Sequence, residues 1–313
     1  MIHIMMATYN GEKYLREQIE SILNQTYTEW RLYIRDDGSC DHTVEIINQY
    51  TKKYPEQIIQ LHSESEMHGA KYNFLYLYKE IPKAEYYAFC DQDDIWGKNK
   101  LQRLLEIAEK YDENEMLLIY HDMKLGKDRY SVLDAGYFEY SKLNIDEIHP
   151  LQQALLYNVI PGCAMFFNRK LKEIVKKIPE ACFMHDWWIT LSTIYNGGKI
   201  VFCPDKLSLY RQHQDNEIGA PKKIDMRYLL GKVIKILEMG QYYKNNKIMK
   251  TLRLTQAREL QQEYSATEGE NELILNTLLD ALKMKNKLWA YIKCRKVGFI
   301  FYNELYTFKF WMI

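Results

Sequence analysis

The sequence predicts an α/β fold: a mainly parallel sheet flanked by helices, with a helical appendage at the C-terminal end. Short apolar runs alternate with amphipathic segments over the first two thirds of the 313 residues. This alternation is typical of parallel strands joined by crossover helices. The strand-like runs stop near residue 220, and helical periodicity continues beyond it. We therefore expect one α/β domain over 1–220 and a helical region over 221–313.

Each predicted strand is followed by a predicted helix. The strands are 2–6, 30–34, 58–62 and 86–90, and the helices are 12–25, 41–54, 71–80 and 100–111. Ligands of such sheets bind beyond the carboxyl ends of the strands. Three of these ends carry the polar motifs Thr8-Tyr9-Asn10, Asp36-Asp37 and Asp91-Gln92-Asp93-Asp94. The sequence therefore predicts that the three motifs converge at one edge of the sheet.

Three carboxylates lie within the four residues Asp91-Gln92-Asp93-Asp94. Crowded carboxylates repel one another unless a cation lies between them. Mg²⁺ and Mn²⁺ prefer oxygen ligands, which they commonly share with phosphate groups. The motif therefore indicates a metal–diphosphate site. The alternative is a polar loop whose aspartates cap the helix that begins near Lys98.

Two of the other motifs suit a nucleotide. Tyr9 offers an aromatic face for a base, and Asp37 offers an acceptor for the imide N–H of uracil or thymine. The run Asp36-Asp37-Gly38-Ser39 is equally typical of a plain turn. Lys71 is a candidate phosphate ligand, although a solvated lysine is the simpler interpretation.

Three motifs occur together in chain order: Ala7-Thr8-Tyr9-Asn10-Gly11, Asp36-Asp37-Gly38-Ser39 with Asp41 and Thr43, and Asp91-Gln92-Asp93-Asp94. As a set they resemble the family-2 inverting glycosyltransferases with the GT-A (Rossmann-like) fold, over roughly residues 1–220. The run Asp91-Gln92-Asp93-Asp94-Ile95-Trp96, with the later Tyr210-Arg211-Gln212-His213, is similar to bacterial rhamnosyltransferase-like members. The resemblance does not cover 221–313.

The resemblance implies inverting transfer of a sugar from a nucleoside-diphosphate donor to a glycan or glycolipid acceptor in cell-surface polysaccharide synthesis. It favours dTDP-rhamnose as the donor, with a UDP-hexose next. The implied donor contacts are Ala7, Thr8, Tyr9, Asn10, Asp37, Lys71, Asp91, Gln92 and Arg211. Asp93 is the leading implied ligand of Mg²⁺ or Mn²⁺. His213 either completes the metal site or contacts the β-phosphate, and a purely structural histidine is the alternative.

On the acceptor side, the resemblance places Asp186 at the position of the general base, which takes the proton of the attacking hydroxyl. The alternative makes Asp186 a helix cap and places Trp187 and Trp188 in the core. The implied contacts with the acceptor or the sugar are Asp94, Gly162, Trp187 and Trp188. At Gly162, a small residue either lets a sugar approach the backbone or marks a packing bend.

Charge is distributed unevenly along the chain. Residues 221–313 hold 17 Lys/Arg against 9 Asp/Glu, whereas residues 1–220 hold 25 against 33. Six scattered cysteines without metal-type spacing indicate a reducing compartment. We expect no signal peptide, and no apolar run reaches the ~18–20 residues needed to span a bilayer. We therefore expect a cytoplasmic protein, soluble or peripheral on the inner face of the cell membrane.

The C-terminal region shows helical periodicity over 228–237, 248–263 and 273–288. In 289–313, Lys293, Arg295, Lys296 and Lys309 are interleaved with aromatic residues, which suits an anionic membrane surface. The alternative is a helical cap that packs on the catalytic domain or on a second subunit, so a homo-oligomer stays open. We expect no nucleic-acid partner, because the region has no recognised binding motif.

The sequence-based hypothesis is a metal-dependent inverting glycosyltransferase. The alternative from another class is a catalytically inactive nucleotide-sugar-binding subunit with a regulatory or scaffolding role. The presence of both Asp93 and Asp186 argues against that alternative. Acceptor, linkage and metal preference stay open.

Overall fold

In the part of the chain that the structure describes, a nine-stranded sheet forms the centre, with a buried apolar core on each of its faces. The computed structural model describes residues 1–62, 67–128, 130–141, 151–213, 235–264 and 269–299. Met5 joins one core, and its neighbours Ile4 and Met6 join the other. Because successive side chains of a strand point to opposite faces, the first strand is buried on both sides.

The strands form one continuous sheet with two halves of different character. They are β1 Ile2–Thr8, β2 Trp30–Asp36, β3 Ile58–Gln60, β4 Tyr86–Asp91, β5 Ile95–Trp96, β6 Leu117–Gly126, β7 Val132–Gly136, β8 Met165–Asn168 and β9 Lys199–Arg211. Their order is β3-β2-β1-β4-β8-β6-β9-β5, and β7 pairs with β6. Strands β3, β2, β1 and β4 are all parallel. The predicted α/β class is confirmed.

Helices cover both faces of the sheet. They are α1 Leu15–Leu23, α2 Thr43–Lys53, α3 Ala70–Glu80, α4 Lys100–Ala108, α5 Tyr137–Ser141, α6 Leu151–Leu156, α7 Arg169–Ile174, α8 His185–Tyr195, α9 Lys235–Glu263, α10 Glu270–Lys283 and α11 Lys287–Lys296. Helices α1, α2 and α4 contribute to the core on one face. Helices α3, α6, α7 and α8 contribute to the core on the other.

Beyond β4 the sheet is mixed. Strand β8 runs antiparallel between β4 and β6, and β9 is parallel to β6 but antiparallel to the short β5. The β5–β9 register pairs Ile95 with Leu209 and Trp96 with Ser208. Since β5 follows the acidic motif at the end of β4, this pairing brings Arg211 at the end of β9 beside that motif.

The described part of the C-terminal region packs against the α/β domain. Its buried apolar side chains join the same core as Trp188, namely Ala257, Leu260, Ile274, Leu275, Leu278, Leu279, Ala281, Ala290, Cys294 and Phe299. The helix predicted over 273–288 is divided, because Met284 has an extended backbone between α10 and α11. Within the described ranges, no helix is both long enough and apolar enough to cross a bilayer. Predictions for 228–234 and 300–313 lie outside these ranges.

Candidate active site

One large cavity opens at the carboxyl ends of β1, β2 and β4, with a volume of about 1040 Å³. Ten of the predicted site residues line it: Ala7, Thr8, Tyr9, Asp37, Asp91, Gln92, Asp93, Gly162, Asp186 and Trp187. The three strand-end motifs therefore meet at one edge of the sheet. The remaining predicted residues lie outside the lining formed by the described part of the chain: Asn10, Lys71, Asp94, Trp188, Arg211 and His213.

Gln92 fixes Tyr9 at the edge of the cavity. The Tyr9 N–H donates to Gln92 Oε1, and Gln92 Nε2 donates to the Tyr9 carbonyl, both at 2.9 Å. Tyr9 is 55% exposed, so its ring face is open to a flat ligand. At Gly11 a Cβ atom would collide with the Gln92 amide. Glycine at this position therefore permits the Gln92 contact.

The Asp37 carboxylate is buried and has three partners. It accepts hydrogen bonds from Arg35 Nη1 at 3.1 Å and from the Gly69 N–H at 2.6 Å, and it lies 3.4 Å from His68 Nδ1. Gly69 has a φ of 106°, a conformation that favours glycine. An ionised carboxylate has about four acceptor positions. Asp37 therefore keeps acceptor capacity for one further N–H from a ligand.

Asp36 and Asn10 join the loop that follows β1 to the loop that follows β2. Asp36 Oδ1 accepts hydrogen bonds from Thr8 Oγ1 at 2.8 Å and from Ser39 Oγ at 2.6 Å. The Asn10 N–H donates to Ser39 Oγ, and Asn10 Oδ1 accepts from the Cys40 N–H, both at 2.9 Å. Asn10 therefore acts on the shape of the site, and its predicted donor contact stays a prediction.

The acidic motif is crowded and partly buried. Ligand atoms of Asp91, Asp94 and Cys163 lie within 4.8 Å of one another. Burial, reinforced by the charge of Asp93, raises the pKa of Asp91 to about 7. Burial also raises the pKa of Asp94 well above its ordinary value. Asp94 Oδ2 has no hydrogen-bond partner among the described residues, so the motif lacks full compensation from the protein.

Lys100 lies beneath the motif on the core side. It is fully buried, its Nζ donates to the Cys163 carbonyl at 2.9 Å, and it lies 3.9 Å from the Trp96 ring centroid. Burial lowers the pKa of Lys100 to about 8. Lys100 therefore offsets part of the acidic charge from below without lining the cavity.

The end of β9 and the residues after it lie against Asp93. His213 Nε2 is 2.8 Å from Asp93 Oδ2, so the two predicted metal ligands are neighbours. The Arg211 N–H donates to Asp94 Oδ1 at 3.2 Å, and Arg211 Nε donates to the Asp93 carbonyl at 2.8 Å. Arg211 Nη2 donates to Glu17 at 2.5 Å. The predicted contact of Arg211 with a diphosphate stays a prediction.

Asp186 lies in the first turn of α8, at the cavity wall. The helix begins at His185 and Met184 is its N-cap, so Asp186 is not the cap residue. Asp186 Oδ2 accepts from the Gly162 N–H at 3.2 Å, and Oδ1 accepts from the Trp187 N–H at 2.6 Å. Burial raises the pKa of Asp186 to about 6. Such a group is ionised at neutral pH and still basic enough to take a proton.

The two tryptophans after Asp186 have different environments. Trp187 lines the cavity, and its Nε1 donates to the Ala154 carbonyl at 2.6 Å. Trp188 is fully buried in the core, so Trp187 is the tryptophan that can face a sugar. Lys71 Nζ donates to two carbonyls of the segment before α8, at 2.9 and 3.3 Å. Its predicted phosphate contact stays a prediction.

The structure adds residues that the sequence motifs do not indicate. The cavity is also lined by His68, Asn73, Tyr137, Tyr157, Phe183, His185, Met249 and Arg253. Met249 and Arg253 belong to α9, so the C-terminal region completes the cavity wall. Arg253 Nε donates to the Leu156 carbonyl at 2.5 Å. No local pattern identifies these two residues, because helical periodicity does not show which distant strand edge a helix face meets.

The comparison with known families agrees with the motifs. Residues 3–175, more than half of the chain, match the family described as Glycosyl transferase family 2. The chain belongs to glycosyl transferase family 2. It is therefore a glycosyltransferase that uses a nucleotide-sugar donor, and the resemblance read from the motifs is confirmed. The matched range contains the motifs of β1, β2 and β4 and ends before Asp186.

Individual relatives support the family 2 assignment. The dTDP-rhamnosyl transferase RfbG of Shigella flexneri is 27% identical over 235 residues, which cover 71% of this chain and 76% of the relative. TarS of S. aureus, solved with UDP-GlcNAc, has a TM-score of 0.56 at 17% identity, and the match covers 95% of this chain and 79% of the TarS chain. The mannosyltransferase PcManGT of Pyrobaculum calidifontis, solved with GDP-Man and Mn²⁺, has a TM-score of 0.53 at 16% identity, with coverage of 93% and 83%. These structures confirm the GT-A fold.

Proposed function

We propose that the protein is a metal-dependent inverting glycosyltransferase that transfers rhamnose from dTDP-rhamnose to a glycan or lipid-linked saccharide in cell-surface polysaccharide synthesis. One observation carries the proposal: the half-buried carboxylate of Asp186 lines the same cavity as Asp91 and Asp93. The charge of Asp186 contributes to the raised pKa of Asp91. The two groups are therefore near enough to act on one bound donor and its acceptor.

The charge of the cavity supports a metal requirement. Its described lining contains the four aspartates Asp37, Asp91, Asp93 and Asp186. Arg253 is the only lysine or arginine among the described lining residues. Such a wall repels a diphosphate unless a cation accompanies it. The available ligand atoms fit Mg²⁺ or Mn²⁺. The Asp93 carboxylate and the His213 imidazole are neighbours, and the buried Oδ2 of Asp94 has no hydrogen-bond partner among the described residues. A bound cation supplies Lewis-acid stabilisation of the departing diphosphate.

Asp186 acts as the general base. Its carboxylate takes the proton of the acceptor hydroxyl as that oxygen forms a bond to C1 of the sugar. The bond between C1 and the diphosphate oxygen breaks on the opposite side, and its electron pair leaves with the nucleoside diphosphate. The configuration at C1 is therefore inverted. The N–H groups of Gly162 and Trp187 hold the carboxylate in place for this step.

The donor is placed by the strand-end motifs. Tyr9 and Asp37 bind the base, Asp91 contacts the ribose, and Gln92 holds Tyr9 in position. dTDP-rhamnose is favoured because the Asp-Gln-Asp-Asp-Ile-Trp motif is similar to rhamnosyltransferase-like members and because the relative RfbG is a dTDP-rhamnosyl transferase. A UDP-hexose is the next candidate. The acceptor occupies the side of the cavity that Trp187 and α9 line.

A panel of nucleotide sugars tests the donor assignment. A ligand that binds only the native state raises the Tm of the protein. We expect the largest rise with dTDP-rhamnose and Mn²⁺ together, and a much smaller rise when EDTA replaces the metal. Free dTDP and UDP are the controls for the base and diphosphate alone. The proposal fails if no nucleotide sugar raises the Tm.

We expect the transfer rate to fall as the pH drops below about 6. Burial raises the pKa of Asp186 to about 6, and only the deprotonated carboxylate accepts a proton. The rate should then decrease about tenfold for each pH unit on the acid side. A rate profile at saturating donor measures this, with donor affinity determined at each pH because Asp91 also titrates in this range. A flat profile between about pH 5 and 7 would contradict the role of Asp186.

We also propose that α11 and the residues after it contact an anionic membrane surface. Leu288 and Trp289, at the start of α11, are 50% and 59% exposed. Lys293, Arg295 and Lys296 lie in its last turn. Exposed apolar side chains beside cations suit the headgroup region of a bilayer. Lys309 and the other aromatic residues of the tail lie outside the described residues.

Point variants test this surface better than a truncation, because removal of 289–313 would also remove the buried Phe299. Joint substitution of Leu288 and Trp289 by serine should abolish the salt-resistant part of binding to anionic vesicles. Joint substitution of the three cations by glutamine should weaken the salt-sensitive part, by up to about 1 kcal/mol for each cation. Leu133→Ser, at an exposed leucine of β7, is the matched control. Co-sedimentation at low and high salt measures both parts, and a wild-type protein that ignores vesicles would contradict the proposal.

A further inference from the structure

We propose that Tyr14 and Glu17, at the start of α1, are positioning residues of the cation site. The inference rests on the proposed metal dependence. Tyr14 and Glu17 orient the two proposed cation ligands, Asp93 and His213. Neither Tyr14 nor Glu17 lines the cavity among the described residues. Both therefore act on the cation through other side chains.

Tyr14 stacks on the ring of His213. Their ring centroids are 4.5 Å apart and their planes differ by 25°. A stacked neighbour restricts the rotation of an imidazole ring. The restricted ring keeps Nε2 at 2.8 Å from Asp93 Oδ2, where the imidazole and the carboxylate can reach one cation.

Arg211 connects Glu17 to the same ligand pair. Its Cζ lies 4.8 Å from the centroid of the Tyr14 ring. Its Nη2 donates to Glu17 at 2.5 Å, and its Nε donates to the Asp93 carbonyl at 2.8 Å. The guanidinium is thus held between α1 and the backbone of Asp93, so Glu17 fixes the position of the leading ligand from the far side.

The start of α1 is a firm support for these contacts. The Tyr14 N–H donates to the Gly11 carbonyl at 3.0 Å, and the Gly11 N–H donates to Thr43 Oγ1 at 2.7 Å. Leu15 and Ile19 are fully buried in the core. Because α1 cannot move without disturbing this core, it holds the end of β9 in a fixed place. Partners that orient metal ligands in this way tune the affinity for the metal.

Mn²⁺ binding tests the proposal without reference to turnover. Electron paramagnetic resonance of free Mn²⁺, compared with and without protein at the same dTDP or UDP concentration so that Mn²⁺ held by free nucleotide is subtracted, gives the Kd for the cation. We expect Tyr14→Ala to raise this Kd by about 10- to 100-fold, the usual effect of losing a partner that orients a metal ligand. Tyr14→Phe keeps the stacked ring and should bind Mn²⁺ like wild type. Glu17→Gln keeps a hydrogen bond but loses the charge, and we expect an intermediate Kd.

A purely structural role of Tyr14 would lower the Tm and leave the Kd for Mn²⁺ unchanged. Tyr54→Ala is the matched control, since Tyr54 stacks on Tyr50 at the end of α2, outside the cavity lining. This control should lower the Tm and keep the wild-type Kd. Tyr14→Leu, which keeps apolar volume without the ring, replaces Tyr14→Ala if the alanine variant does not fold.

Each outcome has one meaning. A folded Tyr14→Ala or Tyr14→Leu variant with the wild-type Kd overturns the proposal. A Tyr14→Phe variant that loses as much affinity as Tyr14→Ala overturns it as well, because the ring stack would then not be the cause. A wild-type protein that does not bind Mn²⁺ overturns the proposed metal dependence itself, and the positioning role falls with it.

Discussion

Asp186→Asn is expected to lose nearly all sugar transfer and to keep the donor affinity of the wild type. An amide cannot accept the proton of the acceptor hydroxyl, and loss of a general base costs about 10²–10⁴-fold in rate. The amide oxygen still accepts a hydrogen bond from the Gly162 or the Trp187 N–H. The start of α8 should therefore keep its structure. Steady-state transfer rates and calorimetry of donor binding separate the two effects.

The stability of this variant gives an independent check. The pKa of Asp186 in the folded protein, about 6, is above its ordinary value. Ionisation of Asp186 therefore destabilises the folded state as the pH rises from the ordinary pKa of 3.8 to about 6. The asparagine variant does not ionise and lacks this destabilisation. The Tm of the wild type relative to that of the variant should therefore fall as the pH rises from about 4 to about 7. Asp205→Asn, which weakens a surface ion pair with Arg103, is the matched control and should transfer normally. Transfer by Asp186→Asn within a few-fold of wild type would leave Asp186 a structural residue.

Asp93→Ala is expected to abolish metal-dependent donor binding. The variant loses the leading cation ligand and leaves His213 without its 2.8 Å neighbour. The other lining aspartates then repel the diphosphate without compensation. Calorimetry with the donor, in Mn²⁺ and in EDTA, measures the effect. In the wild type we expect Mn²⁺ to increase the affinity strongly, whereas in Asp93→Ala the two affinities should coincide.

Two controls define what the Asp93 variant has lost. Asp112→Ala removes an exposed carboxylate that bonds only to Asn114 among its described contacts, and it should bind the donor like wild type. Binding of the free nucleoside at Tyr9 and Asp37 should survive in Asp93→Ala, because a nucleoside carries no diphosphate. An Asp93→Ala variant whose donor affinity still depends on Mn²⁺ would exclude Asp93 as the leading ligand.

The parallel half of the sheet and the meeting of its motifs follow from the sequence. Strands β1, β2 and β4 are nearly continuous apolar runs, as expected of strands buried on both faces. Each is followed by a helix with a clear apolar stripe, so crossover connections and parallel pairing are the natural consequence. Since parallel strands end at the same edge, Tyr9, Asp37 and Asp91 had to lie near one another.

The other half of the site depends on contacts between distant parts of the chain. Strand β9 is Lys199–Arg211, because pairing with β6 and β5 extends it well beyond the short apolar run at 200–203. Strand β5 has two residues, too few to show any period. Glu17 and Arg211 are 194 positions apart, and no local pattern relates them. The roles of α1 and α9 at the cavity therefore became visible only in three dimensions.

The configuration of the transferred sugar tests the central claim most directly. Proton NMR of a reaction with Mn²⁺ and the donor that binds most tightly records the signal of the anomeric proton before any later equilibration, either in the glycoside product or in the sugar released to water. With Asp186 as the base and a single displacement at C1, the product should have the anomeric configuration opposite to that of the donor, and EDTA should stop its formation. A product with the donor's own configuration would contradict the account. A bound donor that is never consumed would contradict it too, and would favour an inactive nucleotide-sugar-binding subunit.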